Sequence, residues 1–292
     1  MTNPRLIRKR VISIRNIGKI TKALEMVSAS RVQKAQDKAL SAKPYADMIY
    51  ELVGRLSGEK SSVEIPLLRD PKASKSDLII LISTNRGLAG SLNTNLFRTL
   101  HQFLKKDEDH YFITVGKKGR TFAMQNGKLE ADFSTNNSLG NKVADIVKIV
   151  SQGFVSETYD EVYIAYSNFV TALSQEPVIK KILPIKIDEF SKQHDDKKSV
   201  VNREAEVSGF SFDPDPATVL NDLLPYYLEV QVADSLYEAE ASEHSARMVA
   251  MKNATDNASE ITSALSLEYN KARQDLITTE LSDITTAQES LK

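Results

Sequence analysis

YYLEVQVADSLYEAEASEHSARMVAMKNATDNASEITSALSLEYNKARQDLITTELSDITTAQESLK, residues 226–292, contains neither glycine nor proline. The last glycine of the chain is Gly209 and the last proline is Pro225. Rich in Ala, Ser, Leu and Glu, the stretch reads as one continuous helix. At about 1.5 Å per residue it is roughly 100 Å long, several times the diameter of a small domain. A helix of that length needs a lengthwise partner. The first sixty residues supply one, because Ile7, Val11, Ile14, Ile17, Ile20, Leu24 and Val27 recur three or four apart, as one apolar face of a helix does. The two ends of the chain are expected to form a rod.

Charge supports the pairing. Met1 to Leu40 carries ten Lys or Arg against two acids, whereas Tyr226 to Lys292 carries five against twelve. Opposite signs suit helices that lie together. The basic run Arg5, Arg8, Lys9, Arg10, Arg15, Lys19 and Lys22 also has a second reading, an arm for nucleic acid or an acidic membrane surface. The formal net charge of −1 argues against a dedicated nucleic-acid binder.

Composition bounds the class. A length of 292 residues with 41% hydrophobic residues is enough for one or two domains with a real core. Without cysteine there is no disulfide framework, thiolate metal site or cysteine nucleophile. No apolar run approaches the ~20 residues that span a bilayer, and the N-terminus lacks a secretory pattern. The expectation is a soluble, cytosolic chain that meets a membrane only through partners.

The middle of the chain has a different period. Asp77 to Ser83 (DLIILIS) is a short apolar run typical of a strand covered on both faces. Gly87 and Gly90 follow, then a helical stretch from Ser91 to Lys106. Tyr111–Val115, Lys128–Phe133, Glu161–Tyr166 and Lys181–Ile187 read as further strands, with Pro184 at an edge or irregular position. Helical stretches reaching Gln125 and spanning Leu139–Phe154 separate them. Strands alternating with helices imply a mostly parallel, Rossmann-like α/β sheet. The organisation expected is an N-terminal coiled-coil helix over 1–57, a linker over 58–76, an α/β domain over 77–187, a charged linker over 188–210 and a C-terminal coiled-coil helix over 211–292. Asp213-Pro-Asp-Pro216 suits a helix start near Ala217. Pro225, about two turns in, predicts a kink.

Catalytic constellations are not evident. There is no GxxxxGK[ST] loop and no HExxH, and His101, His110, His194 and His244 are scattered without metal-ligand spacing. The turn Ser83-Thr-Asn-Arg-Gly-Leu-Ala-Gly90 could cradle a phosphate. Tight strand-to-helix turns need glycine for backbone reasons anyway, and that is the favoured reading.

Four stretches carry a resemblance. Ile20–Gln36 (ITKALEMVSASRVQKAQ), Ser83–Phe97 (STNRGLAGSLNTNLF), Ala246–Asn257 (ARMVAMKNATDN) and Tyr269–Ile284 (YNKARQDLITTELSDI) closely resemble the gamma subunits of F-type ATP synthases, in the same order and over nearly the whole chain. Asp188–Ser208 is least matched. The resemblance implies an antiparallel coiled coil of the two terminal helices with an α/β domain at its base, serving as a central rotor shaft without catalytic residues or cofactor. Its partners would be the alpha and beta subunits, the epsilon subunit and the membrane c-ring, with no nucleic acid. It implies a peripheral position on the cytoplasmic face of the cell membrane. Carried across by position, Arg273, Gln274 and Thr278 match contacts to a beta-subunit catch loop, and Arg247 matches another polar beta contact. Leu24 stands where many members have Met facing the beta subunit, with Lys22 two positions before. Phe212 and Asp213 match the foot against the membrane ring, and the edges near Tyr111 and Lys181 are expected to meet epsilon. Two departures stand out: Ala287-Gln288 replaces the usual Gly-Ala, and Pro225 replaces a basic residue. Two readings of Ser242, Ser245, Ala250, Ala254, Ser259 and Ser263 remain even: a smooth outward bearing face or a close-packed coil. Ala258, Ile261, Leu265, Tyr269, Ala272 and Leu276 read as the seam.

Overall fold

The computed structural model describes residues 3–56, 65–69, 76–105, 109–135, 139–185 and 215–290. In chain order these form α1 (Pro4–Leu56), a 3-10 turn (Pro66–Leu68), β1 (Ser76–Ile82), α2 (Leu92–Phe103), β2 (Asp109–Val115), α3 (Lys117–Asn126), β3 (Lys128–Asp132), α4 (Leu139–Val155), β4 (Glu161–Phe169), β5 (Gln175–Leu183) and α5 (Pro216–Ser290). They divide into two compact units, Met1–Ser30 with Arg247–Lys292, and Arg31–Ala246.

In the larger unit, a five-stranded sheet has the order β3-β2-β1-β4-β5. β1 pairs in parallel with β2 and β4, and β2 in parallel with β3, while β5 returns antiparallel to β4. Alternate residues of one strand face opposite sides. Ile79 and Leu81 meet Leu96, Leu100, Phe112 and Ala123 beneath α2 and α3. Leu78 and Ile80 meet α4 through Ile146 and Val150, α1 through Ile49 and Val53, and α5 through Leu224 and Leu228. Both faces are covered, which is why β1 reads as an unbroken apolar run. Ile65, just before the 3-10 turn, and Leu67, within it, join the second of these cores. β5 begins at Gln175, earlier than the run at Lys181 suggests; its first half is an edge with mixed exposure, so it lacks the apolar signature of a covered strand.

Two glycines are fixed by close approach. Gly116 has φ +100° and lies against the Ser83 carbonyl, and a Cβ on Gly153 would fall 2.1 Å from the Tyr159 ring. Tyr159 is buried, and burial pushes its hydroxyl pKa up to about 12. Arg69 holds this corner together: it donates to the Tyr159 carbonyl at 3.1 Å, pairs with Glu157 at 3.1 Å and lies over Phe154.

The same unit has a half-buried polar junction. Tyr50 of α1 donates to Asp234 Oδ2 of α5 at 3.3 Å and packs edge-on against Tyr227. Gln231 donates to Tyr227 Oη at 3.0 Å and accepts from Lys180 of β5. Burial, above all, raises the Asp234 carboxyl from its ordinary range, with Glu238 adding repulsion.

In the smaller unit the ends of the chain pair antiparallel. Gly18 approaches Ala258, whose Cβ would be 3.4 Å from a Cβ on the glycine. Three residues further along α1, Thr21 Oγ1 meets Thr255 Oγ1, three residues earlier on α5, at 2.8 Å.

The covered positions of α1 follow a seven-residue repeat rather than a 3.6-residue one. Buried or half-buried sites fall at Ile7, Val11, Ile14, Gly18, Thr21, Glu25, Ser28, Val32 and Ala35, and at Ala46, Ile49, Val53 and Leu56. This alternation of threes and fours is the seam of a coiled coil. It corrects the sequence reading, because Ile17, Ile20 and Val27 are 50–60% exposed. The successive steps of three from Val11 through Ile14 and Ile17 to Ile20 fall one residue short of the seam, which alternates threes and fours to reach Gly18 and Thr21. On α5, Ala258, Leu265, Tyr269 and Ala272 are covered as expected, but Thr262 is covered where Ile261 was expected, and Ile261 and Leu276 are exposed.

Ser242 and Ser245 are fully buried and so belong to no outward face; Ser245 donates to the Ala172 carbonyl at 2.8 Å. Asp215 caps α5, its Oδ1 accepting from the amides of Ala217 and Thr218 at 2.9 and 3.0 Å. Asp213 lies outside the described residues. α5 continues through Pro225, and α1 through Pro44. Each proline strips a hydrogen bond from the carbonyl four residues earlier. Those residues, Asn221 and Leu40, are exposed, so water can replace the lost donor.

Candidate partner-binding surface

Charged groups alone do not mark the surface. On α1, Lys22 is exposed and pairs with Glu25 at 3.0 Å, an exposed pair worth ~0–1 kcal/mol. Leu24 is half-buried, and its carbonyl accepts the Ser28 hydroxyl at 2.7 Å. Arg247 is buried, 8% exposed, so little of it is available to another chain. Arg273, Gln274 and Thr278 are exposed together on α5. Thr278 turns its hydroxyl back onto the Gln274 carbonyl at 3.0 Å. Phe212 and Asp213 lie outside the described residues.

The structure brings Arg273, Gln274 and Thr278 onto one stretch and sets them beside a feature the sequence reading missed. Ile277, Leu281 and Ile284 are 44–63% exposed and recur four and three apart, so they share a helix face. Continuing the one-for-one exchange from Gly18 and Ala258 sets Ala272 opposite Pro4, where α1 begins. Beyond it α5 has no α1 residues left to pair with, and every residue from 280 to 288 is exposed. Ile17, Ile20, Met26 and Val27 add exposed apolar area on α1. Single exposed apolar residues are ordinary, but series of them on one unit mark an interaction surface.

The glycine-bearing turn after β1 uses its polar groups internally. The Thr84 amide donates to Asn93 Oδ1 at 3.2 Å, Asn93 Nδ2 donates to Thr84 Oγ1 at 2.8 Å, and Thr84 Oγ1 donates to the Arg86 carbonyl at 2.8 Å. Asn85 Oδ1 accepts the Lys117 amide at 3.2 Å, and Ser83 Oγ accepts the Gly119 amide at 2.7 Å. The turn thus locks β1 to the starts of α2 and α3. Among the described residues, no cluster of His, Asp and Glu has the arrangement of a metal site, and no helix is long and apolar enough to cross a membrane.

Comparison with known proteins agrees along the whole length. The family model described as ATP synthase matches residues 3–291. The chain is 39% identical over 302 residues to an ATP synthase gamma chain of Roseiflexus castenholzii, covering 100% of this chain and 99% of that one. It is 36% identical over 298 residues to the gamma chain of Geotalea daltonii, covering all of both. Among solved structures, a chain of the Euglena gracilis mitochondrial ATP synthase, from its OSCP/F1/c-ring in rotational state 3, superposes with a TM-score of 0.65 at 18% identity, over 99% of this chain and 94% of that one. That likeness speaks to the fold. Full-length identity at this level, with the family match, decides the matter: the chain belongs to the ATP synthase gamma chain family.

Proposed function

We infer that this chain is the central rotor shaft of an F-type ATP synthase, a non-catalytic subunit that couples proton flow through a membrane ring to ATP synthesis or hydrolysis at the beta subunits. The observation that carries the reading is the antiparallel pairing of the chain ends with exposed apolar and polar residues on the outside of the same unit. Membership of the gamma chain family supports it. Such a surface can bind open and closed conformers of surrounding subunits with different free energies, and an orientation-dependent difference is all that a population shift requires.

The partners are the alpha and beta subunits, epsilon and the c-ring, and the place is the cytoplasmic face of the cell membrane, reached through those partners. Arg273, Gln274 and Thr278 are the polar contacts to beta, with Lys22 and Leu24 contributing from α1. Arg247 acts from a buried position, and Phe212 with Asp213 forms the foot. The working division of the chain is helix, linker, α/β domain, linker and helix at 57, 76, 187 and 210.

The test is ATPase activity of mixed alpha and beta subunits with and without this chain, followed by size exclusion. Stimulated hydrolysis and co-elution with a hexamer support the shaft. Absence of both, where another gamma chain gives both, overturns it.

A further inference from the structure

Most of the basic run of α1 pairs with no acid of the chain. Between Pro4 and Lys22 there are seven Lys or Arg and no Asp or Glu. Arg5, Arg8, Lys9, Arg10, Arg15 and Lys19 are exposed, and among the described residues none of the six has an ion-pair partner. The opposite charge of the two chain ends is therefore not used by these cations within one copy. Interleaved with them are Leu6, Ile12, Ile17 and Ile20, each 49–60% exposed. A nucleic acid would engage the cations through its phosphates and leave that apolar area in water. The pattern asks for a partner that is acidic and apolar at once.

The end of α5 is such a helix. From Arg273 to Gln288 it has three acids against one base, and its exposed Ile277, Leu281 and Ile284 share a face. It cannot reach its own α1, because antiparallel pairing carries it past Pro4 and the helix runs on without a turn to Ser290. A second copy can receive it. The overhang Arg273–Ser290 and the basic stretch Arg5–Lys22 are equal in length, about 27 Å each at 1.5 Å per residue.

We propose that two copies of this chain pair about a two-fold axis, the α5 overhang of each lying along the outward side of α1 of the other. An interface of this kind is self-complementary and closes at two copies. With the axis at the level of Pro4 and Ala272, each overhang runs parallel to the α1 that receives it. Ile277 then falls between the levels of Leu6 and Ile12, and Leu281 and Ile284 fall between those of Ile12 and Ile17. Asp275, Glu280 and Asp283 come within one helical turn of Arg8 or Arg15. The pairing buries the apolar residues of both helices and gives the cations of α1 their acids. In the shaft reading, surrounding subunits take the same surfaces, so the pair is the form of a chain not yet assembled.

Sedimentation equilibrium of the full chain, freed of nucleic acid, should show monomer passing to dimer at roughly 10–100 μM. Arg8→Glu with Arg15→Glu, and separately Glu280→Lys with Asp283→Lys, should each weaken the dimer by about tenfold or more. Mixing the two variants is the decisive arm. Each repels its own copies, but together overhang and α1 are complementary again in both directions, so a mixed dimer should form. Should either variant lose its helix content by circular dichroism, salt replaces it as the probe. Going from ~0.1 M to ~1 M cuts the screening length from about 10 Å to about 3 Å and should weaken the wild-type dimer severalfold. A wild-type monomer throughout, growth beyond the dimer, a dimer indifferent to charge, or variants that stay monomeric when mixed overturns the proposal. So does association that needs nucleic acid, or a monomer that binds vesicles of anionic lipid instead. None of these outcomes involves hydrolysis by an alpha–beta hexamer, so the pairing and the shaft reading fail separately.

Discussion

Thr21 Oγ1 and Thr255 Oγ1 stand 2.8 Å apart across the paired ends of the chain, with the Gly18 carbonyl 3.1 Å from the first and the Met251 carbonyl 2.8 Å from the second; with one hydrogen apiece, one hydroxyl donates across the seam and the other donates to its own helix. The hydroxyls are therefore satisfied on a seam that is otherwise short of apolar bulk here, with Gly18, Glu25 and Ser28 as neighbours. Close approach of the backbones takes the place of large interlocking side chains.

Size at Gly18 should then matter more than polarity. Gly18→Ala meets Ala258 at ordinary contact distance and gains helix propensity, so it should stabilise by up to about 1 kcal/mol. Gly18→Leu should cost about 1–3 kcal/mol by forcing the helices apart. Chemical denaturation with hydrogen exchange of the amides around residue 18 will separate the two; equal behaviour of Ala and Leu would show that the approach is not close.

Asp234 sits where its charge is penalised by burial. A carboxyl raised in the folded state binds its proton more tightly there than in the unfolded chain, so stability falls as pH rises through the unfolded and then the folded value. Asp234→Asn keeps an acceptor for Tyr50 and removes that penalty. Its melting point should exceed the wild type's at pH 7, and the difference should shrink toward pH 4. A variant less stable at pH 7 would mean that the charge is used by the junction.

At the start of α5 the sign is opposite. The Asp215 carboxyl is held below its usual range, first by the Thr218 hydroxyl and then by the Thr218 and Ala217 amides. The cap's contribution is present above the unfolded value and lost as pH falls through the folded one. Asp215→Ala should speed exchange of the Ala217 and Thr218 amides at pH 7, with little further effect in acid. Unchanged exchange at pH 7 would remove Asp215 as the cap.

Gly153→Ala drives a methyl into the ring of Tyr159, a buried residue. Overpacking of this kind costs about 1–3 kcal/mol. Urea unfolding measures it, and a loss below about 0.5 kcal/mol would mean that the corner relaxes freely.

Arg273→Ala with Gln274→Ala tests surface against core. Both residues are exposed, so the folded chain should change by no more than about 0.5 kcal/mol. Binding to an alpha–beta hexamer should weaken by roughly fivefold or more, the equivalent of about 1 kcal/mol. Titration of hydrolysis against chain concentration reads this directly, and an unchanged curve removes the pair from the contact.

The long helices, the mostly parallel sheet and the pairing of the chain ends were legible because each rests on a repeated signal: absent breakers after Pro225, continuous apolar strands and opposite charge; the antiparallel direction came with the resemblance. The seam was less so. Ile17, Ile20 and Val27 look like core to any apolar pattern, and only the burial of Gly18, Thr21 and Ser28 shows that small and polar residues occupy the inside. β5 hid its first half because an edge strand is covered on one side alone. Of the site, Arg273, Gln274 and Thr278 were chosen through resemblance, since nothing in an exposed arginine distinguishes it locally from a solvated charge. Arg247 was chosen in the same way, and its burial could not be read from helical spacing that was itself slightly wrong.

The one-for-one exchange along the paired ends has a consequence for how such chains can vary. Because each step forward on α1 is met by a step back on α5, and the covered sites recur every seven residues, adding seven residues to both helices at the same level restores every facing pair above and below the change. A lone insertion of two residues would rotate everything beyond it by about 200°, onto the wrong side. Length in this unit is therefore most free to drift in matched heptads, a constraint written across two segments more than two hundred positions apart.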